Sequence, residues 1–286
     1  LSSAASDVYK RQIIPSDYMV ARMGEEGLLM ELDYSKIPNA ENIDPRYLNP
    51  AYDTEQKYSL PYMWGTTGII YNTTMVDKAP TSWMDLFTTD LKGQVLIFDN
   101  PRDCIGLALK ALGYSFNTTD KDQIAEATDL LIKQKEDGIV QAYVMDQIFD
   151  KMINNEAAMG TYYAGDYLTM VEENPDLAFV QPEEGSNLFV DAMCIPTCSE
   201  NYEDALAFIN FMCRDDIVLR NCDETGYSCP SATALEEMDE EMATDPVAYP
   251  GEDILDKAET FGGLPEETLT FYDHEWIRIC LAKVKY

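Results

Sequence analysis

Short apolar runs alternate with amphipathic segments along most of this chain, and this alternation narrows the possible folds more than any other feature. Residues 95–98 (VLIF) form an apolar run typical of a buried strand, and residues 104–112 follow with helical spacing. Further strands are predicted at residues 139–144, 158–163 and 188–195, and further helices at residues 200–213 and 266–283. Strands that alternate with helices predict an α/β fold with largely parallel sheets.

The first quarter of the chain contributes weaker predictions of the same kind. The run Ile13-Ile14 indicates the end of a buried strand, which the following proline breaks. Residues 18–29 have apolar side chains at helical spacing. Residues 58–71 (YSLPYMWGTTGIIY) predict a strand pair or one long bent strand, broken at Gly65-Thr66-Thr67.

Residues 1–12 (LSSAASDVYKRQ) are polar and differ in character from the sequence that follows. They begin without Met and resemble translated sequencing-adapter read-through. We therefore expect a non-native leader over residues 1–12 and native sequence from Ile13 onward.

The length and charge of the chain limit its size class and its partners. A chain of 286 residues is long enough for two modest lobes, each with its own core. The 20 basic and 52 acidic residues give a net charge of −32, which argues against nucleic acid because phosphate binding needs a basic surface. Such a field gathers cations, although general solubility explains it equally well. No apolar run approaches the roughly 20 residues of a membrane span.

Cysteine and histidine usage argues against metal and histidine chemistry. The chain has seven Cys, an odd number, and no CxxC motif. Cys194 and Cys198 are four residues apart without a nearby His, which does not suit a zinc site. His274 is the only histidine, and the Walker A, GxGxxG and GxSxG motifs are absent. We therefore expect neither a metal, nor a cofactor, nor enzymatic activity.

The segment Phe189-Val190-Asp191 has the chemistry of a site for an organic cation. It lies in a predicted strand, where residues two apart point to the same face, so the ring and the carboxylate share a side. The carboxylate can neutralise an ammonium group, and the ring face attracts the cation and covers methylene groups. The alternative is an ordinary strand-end acid beside a core phenylalanine.

Other candidate residues also lie near the ends of predicted strands. Ser16, Asp103, Tyr163 and Asp191 each follow a strand or lie close to its end. In α/β sheets, ligands bind outside the carboxyl ends of the strands. These residues therefore predict one shared site.

Several segments, with their spacing kept from about Ile13 to the end, resemble the spermidine/putrescine-binding proteins of bacterial polyamine ABC importers. They are Pro15-Ser16-Asp17-Tyr18, residues 58–67 (YSLPYMWGTT), Thr81-Ser82-Trp83, Asn117-Thr118-Thr119, Thr225-Gly226-Tyr227 and Tyr249-Pro250. The Trp-Gly-Thr stretch and the Asn-Thr-Thr block are the more specific ones.

The resemblance implies a two-lobed periplasmic-binding-protein fold of the second topological type. It implies lobe 1 at residues 13–66 and 191–235, and lobe 2 at residues 67–190 and 236–286. Ligand would bind in the interlobe cleft, and closure of the lobes would signal an ABC permease. The protein would be a monomer outside the cytoplasm, either periplasmic or lipid-anchored on the outer face of the membrane, with its signal region missing from this sequence.

The resemblance also implies seven ligand-binding residues. Asp191 matches the family acid that pairs with an ammonium group, and Asp103 replaces a Glu that binds an amine. The remaining five supply rings and a hydroxyl: Phe189 and Tyr163 at Trp positions, the cleft tyrosines Tyr18 and Tyr227, and Ser16. The acids would read the spacing of the charges, and the rings would read the apolar stem.

The sequence departs from the family pattern in several places. Asn100 falls where the spermidine binder has a second acid, Met145 replaces a small polar residue, and Gly262 falls about where a Gln is expected. An aromatic-acid-aromatic patch of the family's first strand is also absent, so we expect an incomplete first lobe. The run Ile13-Ile14 would then lose its sheet neighbour. Lower stability and weaker binding than in a chain with restored upstream residues are expected.

Three alternatives remain from the sequence. A ferric-ion binder of the same fold could use Tyr162 and Tyr163, although neighbours in a strand point to opposite faces. A binder of another organic cation would use the same acids and rings. A hydrolase could use two acids of the cleft, but nothing selects a substrate. The sequence also leaves open the choice between putrescine and spermidine.

Overall fold

The computed structural model describes residues 12–284. The leader predicted at residues 1–12 lies outside this range except for Gln12. The chain divides into two compact units. The first unit extends to Gly65 and also contains Leu188–Tyr249 and Thr260–Gly263. The second unit contains Thr66–Asn187, Pro250–Glu259 and the residues from Leu264 onward.

Residues 236–249 belong to the first unit, whereas the resemblance implied a boundary at residue 235. The reason is apolar packing. Met238 is buried in a cluster with Val218 and Cys222, and Met242 and Tyr249 pack against the same cluster. The segment therefore continues the core of the first unit up to Tyr249.

The described helices and strands alternate along most of the chain. The strands are β1 (Ser59–Asn72), β2 (Val95–Phe98), β3 (Val140–Val144), β4 (Met159–Tyr163), β5 (Leu177–Val180) and β6 (Leu188–Cys194). The helices up to residue 173 are α1 (Asp17–Glu25), α2 (Asp85–Thr88), α3 (Pro101–Ala111), α4 (Lys121–Glu136), α5 (Gln147–Ile153) and α6 (Ala164–Glu173). The later helices are α7 (Tyr202–Met212), α8 (Asp215–Thr225), α9 (Ala232–Glu237), α10 (Glu240–Ala243), α11 (Glu252–Leu255) and α12 (Glu266–Leu281). Short 3₁₀ turns lie at Tyr34–Lys36, Pro38–Asn42 and Pro45–Tyr47.

The strands form a mixed sheet, whereas a largely parallel one was predicted. Their order is β3-β2-β4-β1-β5, and β6 also pairs with β1. β2 is parallel to β3 and β4, but β1 is antiparallel to both β4 and β5. The parallel prediction therefore holds only for the three strands in the middle of the second unit's sequence.

β2 lies inside the core of the second unit, and none of its four residues is polar. All four of its residues are buried, as expected for a parallel strand covered on both sides. α3 packs against α4, and α12 packs against both. The resulting core includes Ile97, Phe98, Ile105, Leu131 and Tyr272.

β1 is one continuous strand of 14 residues and is not broken at Gly65-Thr66-Thr67. Backbone hydrogen bonds continue through the expected break: Trp64 N–H donates to Ser228 at 3.0 Å, and Thr67 N–H donates to Asn187 at 3.1 Å. β1 begins in the first unit and ends in the second.

In the first unit, β6 is the strand that orders the start of the described chain. Ile13 and Cys194 exchange two backbone hydrogen bonds at 2.9 and 2.8 Å. The expected loss of a sheet neighbour at Ile13 is therefore incomplete, because β6 supplies a partner. α1 follows and ends at Glu25, before the predicted residue 29, since Gly27 adopts a positive φ of 67°.

A second apolar layer of the first unit is formed by α7. Its Ala205, Leu206 and Ile209 are buried with Ile37 and Leu60, as the amphipathic pattern of this segment predicts. Over residues 12–284, no helix combines the length and apolar character that crossing a bilayer requires.

Candidate functional site

The first unit holds Asp191 beside the start of α1. Ser16, the residue before α1, forms an antiparallel bridge with Asp191 of β6. The hydroxyl of Ser16 donates to Oδ1 of Asp191 at 3.2 Å. The neighbouring backbone fixes this register, because Ala192 N–H donates to the Pro15 carbonyl at 3.1 Å.

Burial raises the pKa of Asp191, and the hydrogen bond from Ser16 opposes this rise. Neither influence brings positive charge to the carboxylate. A partly desolvated carboxylate with one hydroxyl donor still gains from a cation, since opposite charge favours its ionised form.

Phe189 is held tightly between two neighbours of the first unit. Its ring contacts Tyr227 edge to face, with centroids 5.6 Å apart at 67°. A Cβ at Gly65 would lie 2.8 Å from the Cζ of Phe189, so glycine is needed there for the ring to fit. Phe189 is only 6% exposed, and it can therefore offer a ligand little more than an edge of its ring.

Tyr227 and Tyr18 lie in two different segments of the first unit. Tyr227 follows α8, which ends at Gly226 with a left-handed φ of 71°. Tyr18 lies in α1, and its ring meets Phe261 edge on at 6.1 Å and 80°. Phe261 belongs to the short return Thr260–Gly263, and no pattern in the sequence singles it out.

The second unit collects candidate residues at the carboxyl ends of its three parallel strands. Asp103 follows β2, Met145 follows β3, and Tyr163 is the last residue of β4. This edge is where ligands bind in open α/β sheets. The Asn100 amide lies 3.9 Å from the Met145 sulfur, which connects the ends of β2 and β3.

Asn100 holds Asp103 through both ends of its amide. As the N-cap of α3, it accepts the Asp103 N–H at 2.8 Å, and its NH₂ donates to Asp103 Oδ2 at 2.7 Å. Both groups of the Asn100 side chain are thus engaged in positioning Asp103.

The carboxylate of Asp103 is 8% exposed, and burial raises its pKa to about 6. Hydrogen bonds from Asn100 and Asn187 and the charge of Arg102 act in the opposite direction. Asn187 is 2% exposed, and its Oδ1 has no hydrogen-bond partner among residues 12–284. Sequence reasoning missed Asn187, because it precedes a predicted strand and ligands are expected where strands end.

Tyr163 is part of an aromatic cluster at the end of β4. It lies opposite Thr67 of β1, and its ring is 5.3 Å from Phe98 and 4.9 Å from Tyr162. The rings of Tyr162 and Tyr163 therefore touch, although strand alternation predicted opposite faces. Phe98, buried at the end of β2, was read from the sequence only as a core residue.

The surroundings of Tyr162 and Tyr163 do not favour the binding of ferric ion. The hydroxyl of Tyr162 donates to Asp146 at 3.1 Å. Burial, followed by the charges of Asp166 and Asp146, raises the pKa of Tyr162, so the phenolate that iron needs is disfavoured. In the part of the chain that the structure describes, no cluster of three or more His, Cys, Asp or Glu could hold a metal.

The predicted residues fall into two sets, one in each unit. In the first unit, Ser16 contacts Asp191, Phe189 contacts Tyr227, and Tyr18 packs against Phe261. In the second unit, Asp103 follows β2 and Tyr163 ends β4, the strand that pairs with β2. The single shared site and the role of each residue stay predictions.

Comparison with known proteins identifies the class of this chain. The family model for bacterial extracellular solute-binding protein matches residues 2–250. The spermidine/putrescine-binding periplasmic protein of Escherichia coli (strain K12) is 34% identical over 248 residues, which cover 86% of this chain and 71% of that protein. The putrescine-binding periplasmic protein SpuD of Pseudomonas aeruginosa is 29% identical over 290 residues, covering 95% and 78%.

Solved structures give the same answer for the fold. The spermidine/putrescine ABC transporter substrate-binding protein PotD of Streptococcus pneumoniae superposes with a TM-score of 0.86 at 37% identity, covering 98% of this chain and 87% of that one. An ABC transporter protein of Listeria monocytogenes superposes with a TM-score of 0.91 at 37% identity, covering 98% and 88%. The predicted α/β, two-lobed periplasmic-binding-protein fold is confirmed, and the chain belongs to the bacterial extracellular solute-binding protein family.

Proposed function

We propose that this protein captures a polyamine, spermidine or putrescine, and delivers it to the permease of an ABC transporter. The main supporting observation is that each unit contains one candidate acid, Asp191 or Asp103, whose pKa is raised by burial. An aromatic candidate lies nearby in the fold: Phe189 is two residues before Asp191 in β6, and Tyr163 ends β4, the partner of the strand that Asp103 follows. Relatives named for the binding of spermidine or putrescine support this ligand class.

Asp191 has the surroundings that suit an alkylammonium group. Its pKa is raised by burial, and its hydroxyl partner, Ser16, carries no charge. An ammonium group would supply the missing positive charge and additional donors. Tyr227 would cover the methylene groups next to it, because a ring face attracts the cation and shields its apolar stem, and the exposed edge of Phe189 would border them.

Asp103 offers a second ammonium position with an extra acceptor. Asn187 influences Asp103 through a side-chain hydrogen bond, and the Oδ1 of Asn187 lacks a partner within the described residues. A buried acceptor without a donor is costly, at about 1–3 kcal/mol. An ammonium group has three N–H donors and could satisfy both the carboxylate and this amide oxygen.

We further propose that Asp191 and Asp103 each pair with an ammonium group. The net charge of −32 favours the approach of such a cation. The protein would act outside the cytoplasm, as the periplasmic relatives suggest. It would do so as a monomer. Binding rather than catalysis would be its task, because transport proteins of this family carry substrates unchanged.

The test is calorimetric titration with spermidine and then with putrescine. Saturable binding of either is expected, and the ratio of the two affinities gives the preferred ligand. Asp191→Ala should weaken binding by about 2–5 kcal/mol, as for a buried charge pair. Asp204→Ala, which removes an exposed acid of α7, is the matched control and should leave the affinity unchanged.

Absence of binding heat with both polyamines would overturn the ligand assignment while leaving the fold intact. Unchanged affinity in the Asp191 variant would overturn the role of that residue. A tyrosinate-to-iron absorption band on addition of ferric ion would favour the metal-binding alternative, and we expect none.

A further inference from the structure

We propose that Cys222 and Cys229, in the first unit, form a redox-active thiol pair that closes to a disulfide and fixes the loop carrying Tyr227. This inference concerns the chain itself and does not depend on the identity of the ligand.

The backbone brings the two cysteines together. Cys222 lies in the last turn of α8, which ends at Gly226 in a left-handed conformation, with φ at 71°. The N–H of Gly226 donates to the Cys222 carbonyl at 2.8 Å, and the chain then reverses direction. Ser228 exchanges backbone hydrogen bonds with Trp64 at 3.1 and 3.0 Å, which holds the returning segment in place.

The side chains meet in one apolar cluster. Cys222 is fully buried and Cys229 is 3% exposed, and both pack with Met63 and Val218. The pKa of each thiol is shifted by a side-chain hydrogen bond involving the other. Both thiols therefore lie in this one cluster, and a disulfide between them would close a short ring that contains Tyr227.

The surroundings give the two sulfurs different roles. The hydrogen bond from Cys222, with a further one from the Tyr249 hydroxyl at 3.7 Å, lowers the pKa of Cys229. Cys229 is thus the more readily ionised of the two thiols and the nucleophile. The same hydrogen bond, together with burial, raises the pKa of Cys222, which keeps its proton until the second step.

Other buried thiols of the first unit lack this arrangement. Burial raises the pKa of Cys194, and it raises the pKa of Cys213 to about 12. Neither is influenced by a hydrogen bond from a second cysteine. The pairing is therefore specific to Cys222 and Cys229 among these four thiols.

The oxidant would be a low-molecular-weight disulfide such as oxidised glutathione. The Cys229 thiolate attacks one of its sulfurs, forms a mixed disulfide and releases one small thiolate. Cys222 gives its proton to that thiolate, attacks the Cys229 sulfur and releases the second small thiolate, which takes a proton from water in place of the one that Cys229 had lost. Two protein thiols are oxidised and one small disulfide is reduced to two thiols.

Access to the buried pair requires that the reaction occur before the loop packs or during its local opening. Proteins of an extracellular family reside where disulfides form and persist. The closed ring should resist unfolding because it restricts the unfolded chain.

The test needs no variant. The purified full chain is equilibrated with reduced and oxidised glutathione at neutral pH, unfolded, and alkylated without reductant. Trypsin leaves both cysteines in one peptide, residues 221–257, because this stretch has no Lys or Arg before Lys257. Cleavage after Glu224 then separates them, and mass spectrometry identifies a link that only reduction releases.

We expect the tryptic peptide to be lighter by two hydrogen atoms than the reduced, unalkylated peptide, and its pieces to stay joined after cleavage at Glu224. Reduction should lower the melting temperature by on the order of 5 °C, from the loop-closure entropy of a short ring. Cys222→Ser should abolish both effects, whereas Cys213→Ser, the matched buried control, should keep the link.

Full alkylation of Cys222 and Cys229 after the oxidising incubation would overturn the proposal. A link from either residue to a different cysteine would overturn it as well. Since mapping of the unmodified chain gives either result, failure of a serine variant to fold does not affect the outcome.

Discussion

Replacing Asp103 by asparagine should stabilise the free protein while weakening its binding of polyamine. The side chain is almost completely buried at the start of α3, and its charged form has lost most of its water. Asparagine is nearly isosteric and still offers an oxygen to the Asn100 amide, which donates to Oδ2 of Asp103 at 2.7 Å. The substitution thus removes the charge with little change in packing.

The magnitude follows from the pKa of Asp103, which burial raises from 3.8 to about 6. A carboxyl group whose folded pKa is raised contributes stability below pH 3.8, and this contribution is lost as the pH rises through about 6. At 2.303RT per pH unit, the ionised side chain lowers the free energy of unfolding at pH 7 by about 3 kcal/mol. Its favourable interaction with the amino end of α3, about 0.5 kcal/mol, acts in the other direction.

The assay is thermal unfolding of wild type and Asp103→Asn without ligand, at pH 7 and at pH 4. The net gain of about 2–3 kcal/mol at pH 7 corresponds to a rise in Tm on the order of 5–10 °C. At pH 4 the two proteins should differ little, because the wild-type carboxyl is then protonated. Asp99→Asn, which changes an exposed acid in the same loop, is the control and should leave Tm unchanged at both pH values.

Calorimetric titration of the same variant should show a lower affinity for polyamine, although its stability is higher. Loss of a buried partner for an ammonium group should weaken polyamine binding by about 2–5 kcal/mol. An Asp103→Asn protein that is no more stable than wild type at pH 7 would refute the burial argument. A variant that is more stable but binds equally well would refute only the role of Asp103 in the site.

Three further results are expected. Gly65→Ala should force the Phe189 ring to move, since the added Cβ would lie 2.8 Å from it. The free energy of unfolding, measured by chemical denaturation, should fall by about 1–3 kcal/mol. Gly24→Ala is the control, because its added Cβ has its nearest contact at 3.4 Å and causes no such clash. Tyr163→Ala should weaken polyamine binding by about 0.5–2 kcal/mol in calorimetry, whereas Tyr163→Phe keeps the ring and most of the affinity. Polyamine affinity should fall about tenfold per pH unit below about pH 6, because protons then compete for Asp103, and a flat profile between pH 7 and pH 5 would contradict this linkage.

Much of the fold follows from apolar spacing in the sequence. The predicted strand at residues 95–98 is observed as Val95–Phe98, and the predicted strand at residues 188–195 is observed as Leu188–Cys194. These segments succeed because a buried strand needs only a short apolar run, which periodicity detects. The helix predicted from residue 104 begins at Pro101, since Asn100 caps it three residues earlier.

The mixed sheet and the continuity of β1 could not be predicted in this way. β1 is antiparallel to β4 and β5, and strand direction depends on pairing between segments about 90 residues or more apart. Gly65-Thr66-Thr67 has the composition of a break, but the backbone hydrogen bonds of Trp64 with Ser228 and of Thr67 N–H to the Asn187 carbonyl hold it extended. Long-range partners therefore override the local preference of these residues.

In the candidate site too, the residues with a local sequence signal were predicted and those that depend on long-range contacts were not. Its acids and rings were predicted because charge and aromaticity stand out near predicted strand ends, as for Asp103 and Tyr163, and their role in binding stays a prediction. Asn187 escaped notice, since its relation to Asp103 arises only when a strand start is brought to a helix start. The contact between Phe261 and Tyr18 depends on a return of four residues that has no local signature.

The interleaving of the two units has a consequence for the nascent chain. Both units use residues beyond position 249, and the second needs α12 to cover α3 and α4. A ribosome adds about 5–20 residues per second, so early segments remain without their packing partners until the residues beyond position 249 have been added. Neither core can be completed by a nascent chain that ends before them, so both units must finish folding late and close together in time.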